Sequence, residues 1–193
     1  MLSASLTKKR GTGRPTGSES TQADILRAAR EAFGSDGFDG VSLRSVAVKA
    51  KVDPSTVIHF FGTKEGLFEA VARGFAPMLK PLMEAIERRS PGAELTKIYL
   101  RIWEDNENGA TMRALVRTSI GSERAFRLFR AVITEEILRA LRSANPIGAE
   151  LAMTHLIGIA LGRHIMRLPE LSSAEIGAIA EKIGPALDSY LGT

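Results

Sequence analysis

The chain has 193 residues, 44% of them hydrophobic and 25% charged, a composition typical of globular proteins and not of disordered or collagen-like chains. Cysteine is absent, which excludes a disulfide scaffold, a thiolate zinc site and a catalytic thiol. Neither a membrane-spanning apolar run nor a secretory signal pattern is present, so we expect a cytoplasmic protein with no membrane partner.

The net charge of +4 is concentrated at the N-terminus. Residues 1–18 carry four bases and no acid, whereas bases and acids balance in residues 19–64 and again in residues 65–193. A basic stretch rich in glycine and serine cannot form a core, but it can lie along a nucleic acid. We therefore predict a disordered basic arm over residues 1–18; the alternative is a solvated tail. Its candidate DNA contacts are Lys8, Lys9, Arg10 and Arg14.

Helical patterns begin directly after this arm. The first helix is predicted from apolar residues spaced three and four apart: Ile25, Ala28, Ala29, Ala32 and Phe33. We expect Ser20 or Thr21 to cap its start and Gly34 and Gly37 to mark its end, with Phe38 in the turn beyond.

Two short helices follow, LRSVAVKA and PSTVIHFF. Ser42 is suited to cap the first, and Pro54 suits the first position of the second. Gly62 should end the second helix, and Thr63 should cap a fourth. Two short helices joined by a tight turn and braced by a longer helix indicate a helix-turn-helix head. The alternative is a helical hairpin within an ordinary bundle.

The rest of the chain also has a helical pattern. Pro77 and Pro81 should kink or end the fourth helix. Further helices are predicted over 78–89, 93–107, 110–120, 122–144, 146–168 and 173–191, and no stretch favours a strand. We predict an all-α fold: a three-helix helix-turn-helix head over 19–64, then a helical bundle over 65–193.

The exposed side chains of the second short helix suit DNA recognition. They are short or planar hydrogen-bonding groups, which let a helix enter a major groove: Pro54, Ser55, Thr56 and His59. Ser42 and Lys64 begin helices, where backbone amides favour phosphate, and Arg44 could bond phosphate or guanine. The alternative is that Ser42 is only an N-cap and Arg44 only a solvated charge.

These motifs carry a family resemblance. Residues 20–68, with AARE-AF and SLRSVAVKAKVDPSTVIHFFGTKEGLF, resemble the N-terminal domain of the TetR family of transcriptional regulators. The most specific part is Phe61, Lys64, Glu65 and Leu67. The resemblance implies a homodimer that binds a palindromic double-stranded DNA operator and a small-molecule effector. It makes residues 19–64 the DNA-binding domain and residues 65–193 the effector-binding and dimerisation domain. It implies DNA contacts for the following residues: Ser42, Arg44, Ser55, Thr56, His59 and Lys64.

The chain departs from the family pattern at two positions. Lys51 replaces a frequent turn glycine and adds a base near the phosphates, at a cost of about 1 kcal/mol if left-handed. Ile58 replaces a frequent tyrosine that touches phosphate, so His59 or Phe60 could take that role or the contact is absent. The later segments WEDNENGATMRALVRTS and GIALGRHIMRLPEL look like an actinobacterial-type regulator subgroup.

The last two predicted helices are implied to form the dimer interface, the alternative being a core within one chain. Gly158 and Gly162 allow close helix packing. Four residues form a stripe on the final helix: Ile176, Ile179, Ile183 and Leu187.

Six large side chains are candidates for an effector cavity, although such residues often form plain core. They are Met78, Tyr99, Trp103, Met112, Phe126 and Phe129. His155 and His164 are nine residues apart, not at a metal-binding spacing, and no phosphate loop or Ser-His-Asp pattern occurs. We predict no metal, no cofactor and no enzymatic activity.

The sequence thus predicts a dimeric repressor that leaves its operator when a small molecule binds. Two other functions stay open: a sequence-tolerant basic DNA binder, and a helical ligand-binding or enzymatic domain with an unused head. The balanced charge of residues 19–193 disfavours the former, since such proteins spread basic charge over the fold.

Overall fold

A computed structural model describes residues 17–105, 108–135 and 145–192. Within these ranges the protein is helical with no strand, which confirms the all-α prediction. The helices are α1 Gly17–Gly40, α2 Leu43–Ala50, α3 Pro54–Phe61, α4 Lys64–Arg73, α5 Ala76–Glu87, α6 Gly92–Glu104, α7 Asn108–Gly121, α8 Glu123–Ile133, α9 Pro146–Ala160, α10 Pro169–Ser173 and α11 Ile176–Leu191. A π-helical turn, Leu161–Ile165, extends α9. None of the described helices is both long and apolar enough to span a membrane.

The predicted helix boundaries of the head are confirmed at three places. Ser42 accepts a hydrogen bond from the backbone of Ser45 at 3.0 Å, and the Ser45 hydroxyl accepts one from the backbone of Ser42. Thr63 accepts from the Gly66 backbone at 3.1 Å. Gly62 ends α3 with a φ of 69°, which glycine adopts without steric cost. Helix capping by short polar side chains thus sets where α2 and α4 begin.

Two other boundary predictions are wrong. The first helix already includes Gly17, and the Thr21 hydroxyl donates back to the Gly17 carbonyl at 2.7 Å inside the helix, so it is not an N-cap. Pro81 lies inside α5 and does not end it. The break between α4 and α5 comes earlier, at Gly74 and Phe75, just before Pro77.

The C-terminal helices also differ from prediction. The helix predicted over 122–144 is seen as α8 to Ile133, and its end lies outside the described residues. The helix predicted over 146–168 gives way to the π turn and then to Arg167, whose φ is 53°. Leu168 precedes a proline, which disfavours helical backbone there, and Pro169 begins the short α10.

Three phenylalanines form the centre of the head. Phe68 of α4 packs edge-on against Phe33 and Phe38 at centroid distances of 5.1 and 5.3 Å, and all three are buried. Phe38 is therefore a core residue and not an ordinary turn residue. Because α4 supplies Phe68 and buried Leu67 to this core, we propose that the head includes α4 and ends later than residue 64.

The body is built on the close pairing of α6 with α11. Gly92 permits it, because a Cβ there would lie 2.4 Å from the Gly184 carbonyl oxygen. The Gly92 amide also donates to the Asp188 carboxylate at 2.6 Å. Helices α5 and α9 pack on this pair, α7 packs on α1, and α8 packs on α4.

Candidate nucleic-acid interface and effector cavity

The turn between α2 and α3 presents α3 on the protein surface. Lys51 adopts the left-handed conformation with φ 58° and ψ 42°, and its amide bonds to the last carbonyls of α2. Val46, Ala47 and Val57 are buried where the two helices cross. The small Ala47 side chain allows the close approach that fixes α3.

The first turn of α3 separates the roles of its two hydroxyl residues. Asp53 caps the helix by accepting from the Ser55 amide at 2.8 Å and from the Ser55 hydroxyl. These two bonds lower the pKa of Asp53, the side-chain bond most. The Ser55 hydroxyl proton is thus committed to Asp53. Within the described residues the Thr56 hydroxyl makes no such bond, so it is the freer group.

The other predicted contacts lie on the same part of the head. Ser42, Arg44, Lys51 and His59 are exposed, and Pro54, Thr56 and Phe60 are half-buried. In the described part of the chain no ion pair engages Arg44 or Lys51. These positions leave two cations and several small hydrogen-bonding groups facing solvent.

The beginning of α1 adjoins α3, which the sequence did not indicate. A shallow groove is lined by Gly17, Ser18, Thr21, Ser55, Thr56, His59 and Phe60. The chain that precedes Gly17 therefore joins the head beside the exposed face of α3. The candidate arm contacts at Lys8, Lys9, Arg10 and Arg14 lie outside the described residues. No periodicity or cap pattern could have placed α1 against α3.

The side chain of Lys64 makes contacts within the head. Its ammonium donates to the Phe38 carbonyl at 3.0 Å and to the Asp39 carbonyl at 3.4 Å, and it lies 4.7 Å from the centroid of the Phe38 ring. These contacts hold the side chain against the end of α1. The ammonium is engaged within the head, and a phosphate contact at the start of α4 stays a prediction.

The body contains an apolar cavity of about 300 Å³. Six helices contribute to its wall. The lining residues are Leu79, Leu82, Ile86, Leu95, Tyr99, Ile102, Trp103, Met112, Val116, Ser119, Ile120, Phe126, Phe129, Arg130, Thr134, Ala152, Met153, Leu156, Ile157, Leu161, Leu187 and Leu191. An apolar cavity with a few polar groups is the usual form of a small-molecule site.

Five of the six predicted cavity residues line this space: Tyr99, Trp103, Met112, Phe126 and Phe129. The exception is Met78, which packs against the core but does not reach the cavity. On α5 the residues that face the cavity are Leu79, Leu82 and Ile86, and Met78 is rotated about 100° from Leu79. Arg130 was missed, because a charge beside an apolar stripe is usually solvated.

Trp103 separates the cavity from His164. The two rings stack with centroids 5.6 Å apart and planes within 6° of parallel, and His164 Nε2 is buried with no hydrogen-bond partner. Burial and the neighbouring Arg163 lower the pKa of His164. Burial also raises the pKa of Tyr99, so that hydroxyl stays neutral. Among the described residues no cluster of histidine and carboxylate side chains is arranged to hold a metal.

The residues predicted for the dimer interface divide between two surroundings. Ile179 and Leu187 are buried in the core of their own chain, and Ile176 and Ile183 pack against it, so the predicted stripe faces inward. The reason is physical: the densest apolar stripe of α11 packs against α6 of the same chain, so it is not available to a second subunit. Gly162 is likewise buried, and a Cβ there would lie 2.9 Å from Leu171.

A different face of α9 is left uncovered. Ile147 is 72% exposed and Leu151 is 47% exposed, and Gly158 is also exposed, with open space where a Cβ would be. These positions lie close together on one side of the helix. Gly158 is thus the one predicted interface glycine that remains on the surface.

Two sets of contacts join the head to the cavity-forming helices. The Thr118 hydroxyl of α7 donates to the Phe33 carbonyl of α1 at 2.7 Å, in a buried position. Arg124 of α8 pairs with Glu65 of α4 at 2.9 Å, and Glu135 pairs with Arg73 at 2.8 Å. Since α7 and α8 also line the cavity, its occupant would touch helices that contact the head.

Comparison with known proteins agrees with this architecture. A model described as bacterial regulatory proteins, tetR family, matches residues 25–71, and one described as tetracyclin repressor-like, C-terminal domain, matches residues 90–191. An HTH-type transcriptional repressor of Mycobacterium tuberculosis is 30% identical over 163 residues, which cover 83% of this chain and 80% of that protein.

Solved structures share the whole fold. A TetR-family regulator from Streptomyces coelicolor is 29% identical with a TM-score of 0.71, covering 94% of this chain and 99% of its own. The multidrug binding protein EbrR complexed with malachite green is 20% identical with a TM-score of 0.64, covering 88% of this chain and 96% of its own.

Proposed function

We infer the function from one premise: this chain belongs to the TetR family of DNA-binding transcriptional regulators, and it is a regulator rather than an enzyme. We propose that it is a homodimeric repressor. In this proposal it binds a palindromic operator through α2 and α3 and leaves it when a small molecule occupies the cavity. The observation that carries the proposal is that α7 and α8 line the cavity and also contact the head.

Within this proposal α3 enters the major groove. Thr56 presents a free hydroxyl and a methyl group to base edges, where each good contact discriminates by about 1–3 kcal/mol. Arg44 and Lys51, which no described acid neutralises, bind the flanking phosphates. His59 and the exposed Ser42 complete the surface.

The arm adds a second electrostatic contact. Gly17 lies in the groove beside Thr56, so the four bases of residues 1–18 are attached where DNA would lie. Deletion of residues 1–14 should weaken binding to all sequences and reduce the slope of log affinity against log salt by about 0.9 for each phosphate that the arm neutralises. Titration at several salt concentrations measures this slope. An unchanged slope would show the arm to be a passive tail.

The dimer forms through the outer faces of α9 and α11 in this proposal. Ile147 and Leu151 are too exposed for a lone subunit to benefit from them, and Gly158 lets a partner helix approach closely. Helix α11 lies beside α9 and presents small or short residues outward at Ala178 and Ser189. A two-fold interface of this kind places two heads side by side.

In this proposal the protein leaves the operator because the distance between the two heads changes. Recognition helices fit a palindrome only when they are separated by about one turn of DNA or a comparable fixed distance. A molecule in the cavity that favours a different position of α7 or α8 moves the head through Thr118 and Arg124. Operator affinity then falls by the difference in binding free energy between the two arrangements. The malachite green held by EbrR supports a small-molecule role for the cavity.

Selection of binding sites from random double-stranded DNA tests the proposal. The purified full chain should enrich one palindrome, and footprinting should then show protection of two symmetric half-sites. Enrichment without any shared sequence would favour a sequence-tolerant binder. The Arg44→Ala, Thr56→Ala double variant serves as the control. If the protein does not use its head to bind DNA, this variant should select the same DNA as the parent.

A further inference from the structure

The cavity opens to solvent at one side of the body. Most of its lining is buried, but Ile120 is 60% exposed, Phe126 is 49% exposed and Arg130 is exposed. All three line the cavity and lie at the end of α7 or on α8. They therefore mark the mouth of the cavity, with apolar walls behind and a guanidinium at the entrance.

The polar groups of the cavity favour an anion. Among the described lining residues Arg130 is the only charged one, and none of them is a carboxylate. In the described part of the chain Arg130 takes part in no ion pair. Ser119 already donates to the Leu115 carbonyl at 2.8 Å, whereas Tyr99, which also lines the cavity, keeps a neutral hydroxyl. Among the described lining residues a cation would meet a like charge and no acid, whereas an anion would meet donors.

The volume limits the size of the occupant. A cavity of about 150 Å³ accommodates benzene, which has six non-hydrogen atoms. The present cavity of about 300 Å³ is twice as large. On that proportion it accommodates roughly twelve non-hydrogen atoms.

We propose that the effector is an apolar acid of about twelve non-hydrogen atoms, with its chain against the apolar wall and its anionic group on Arg130. This rests on the effector role given to the cavity above. It specifies the ligand class, and it excludes lipophilic cations.

Three probes of equal chain length test the charge preference: decanoate, 1-decanol and decylammonium. Trp103 is the only tryptophan of the chain and lines the cavity, so its fluorescence reports occupancy directly. Decanoate should bind about tenfold more tightly than 1-decanol, less so at high salt, and decylammonium should bind more weakly than both.

Two arginine variants assign the preference. Arg130→Gln should bind decanoate and 1-decanol equally, with its affinity for 1-decanol unchanged. Arg127→Gln is the matched control, because Arg127 is an exposed arginine on the same helix that pairs with Glu123 and does not line the cavity. It should keep the preference for decanoate. Equal or tighter binding of decylammonium, a preference that survives in Arg130→Gln, or no response of Trp103 to any probe would each overturn the proposal.

Operator affinity, measured with each probe, separates this inference from the proposed function. If decanoate binds through Arg130 but leaves operator affinity unchanged, the proposed ligand class is supported. The proposal that a ligand in the cavity releases the operator is then contradicted. If 1-decanol lowers operator affinity as well as decanoate does and binds as tightly, release stands and the acid preference does not.

Discussion

At the scale of single residues, Thr56 is the group that we propose reads the bases. Its hydroxyl is not bonded within the described residues, whereas the hydroxyl of Ser55 donates to Asp53. Thr56→Ala should therefore relax base preference at one or two symmetric positions, at a cost of roughly 1–3 kcal/mol for each base that Thr56 reads. Titration against the operator and its single-base variants measures this change in affinity.

Ser55→Ala provides the matched control for Thr56. It removes a hydroxyl from the same turn, but one already occupied by the helix cap, so base preference should change less. Equal and sequence-independent reductions in affinity for both variants would show that α3 does not lie in the major groove.

His164 predicts how stability depends on pH. Burial and Arg163 lower its pKa, with Arg113 acting in the same direction and Glu104 against it. The unfolded chain therefore binds a proton below about pH 6.5 that the folded chain does not. Stability should fall as pH drops through this range, and level off once the pH is below the folded pKa.

His164→Phe tests this dependence while keeping a ring against Trp103. The variant should lose less stability than the parent between about pH 7.5 and 5.5. Urea denaturation midpoints at the two pH values give the comparison. If parent and variant lose the same stability, another group controls the acid dependence.

The conformations of some residues could be predicted from their neighbours in the sequence, whereas those of others could not. The Ser42 cap and the left-handed Lys51 follow from neighbours within a few positions. The ammonium of Lys64 instead bonds to carbonyls 25 and 26 residues away in the sequence. The long lysine side chain has many rotamers, and contacts with distant residues decide which one is adopted. Sequence spacing therefore predicts where the backbone of such a residue lies, but not where its charged group lies.

At the scale of helices, α7 is the element shared by head and cavity. Thr118→Val keeps the side-chain shape but removes the donor to the buried Phe33 carbonyl. We expect a stability loss of about 0.5–1.5 kcal/mol from the lost hydrogen bond. Hydrogen exchange should rise at the end of α1, and operator affinity should fall as the head becomes less firmly oriented.

Thr96→Val is the matched control for this helix contact. Thr96 is equally buried, but its hydroxyl bonds to the Gly92 carbonyl within α6. In this variant hydrogen exchange should rise only within α6, and operator affinity should stay unchanged. Increased exchange at the end of α1 in both variants would mean that the α1–α7 bond has no special role.

Helix periodicity identified apolar faces but not what covers them. The stripe of Phe126 and Phe129 could be core or cavity wall, and it proved to line a cavity. The stripe through Ile179 and Leu187 could face a second subunit or α6, and it faces α6. Both outcomes depend on packing between distant helices, which no single helix pattern contains.

At the scale of the whole molecule, binding to a palindrome requires two heads held by one interface. Exposed apolar residues of α9 are the part of the described surface that a partner helix would cover in our proposal. Ile147 and Leu151 are 72% and 47% exposed in the single chain. Their exposure costs the monomer little, but burying the exposed part in a dimer would contribute about 1–2 kcal/mol for Ile147 and about 1 kcal/mol for Leu151.

Leu151→Glu should therefore disrupt the dimer. An isologous interface contains the substitution twice, so two carboxylates would be buried without partners, and dimerisation should weaken at least about a hundredfold. Sedimentation velocity over a concentration series measures the change, and operator affinity should fall with it because a single head makes half the contacts. Ile58→Glu is the matched control: Ile58 is 52% exposed but lies on α3 in the head, so its variant should stay dimeric whatever happens to DNA binding. A dimer that persists in Leu151→Glu would place the interface on another face of the body.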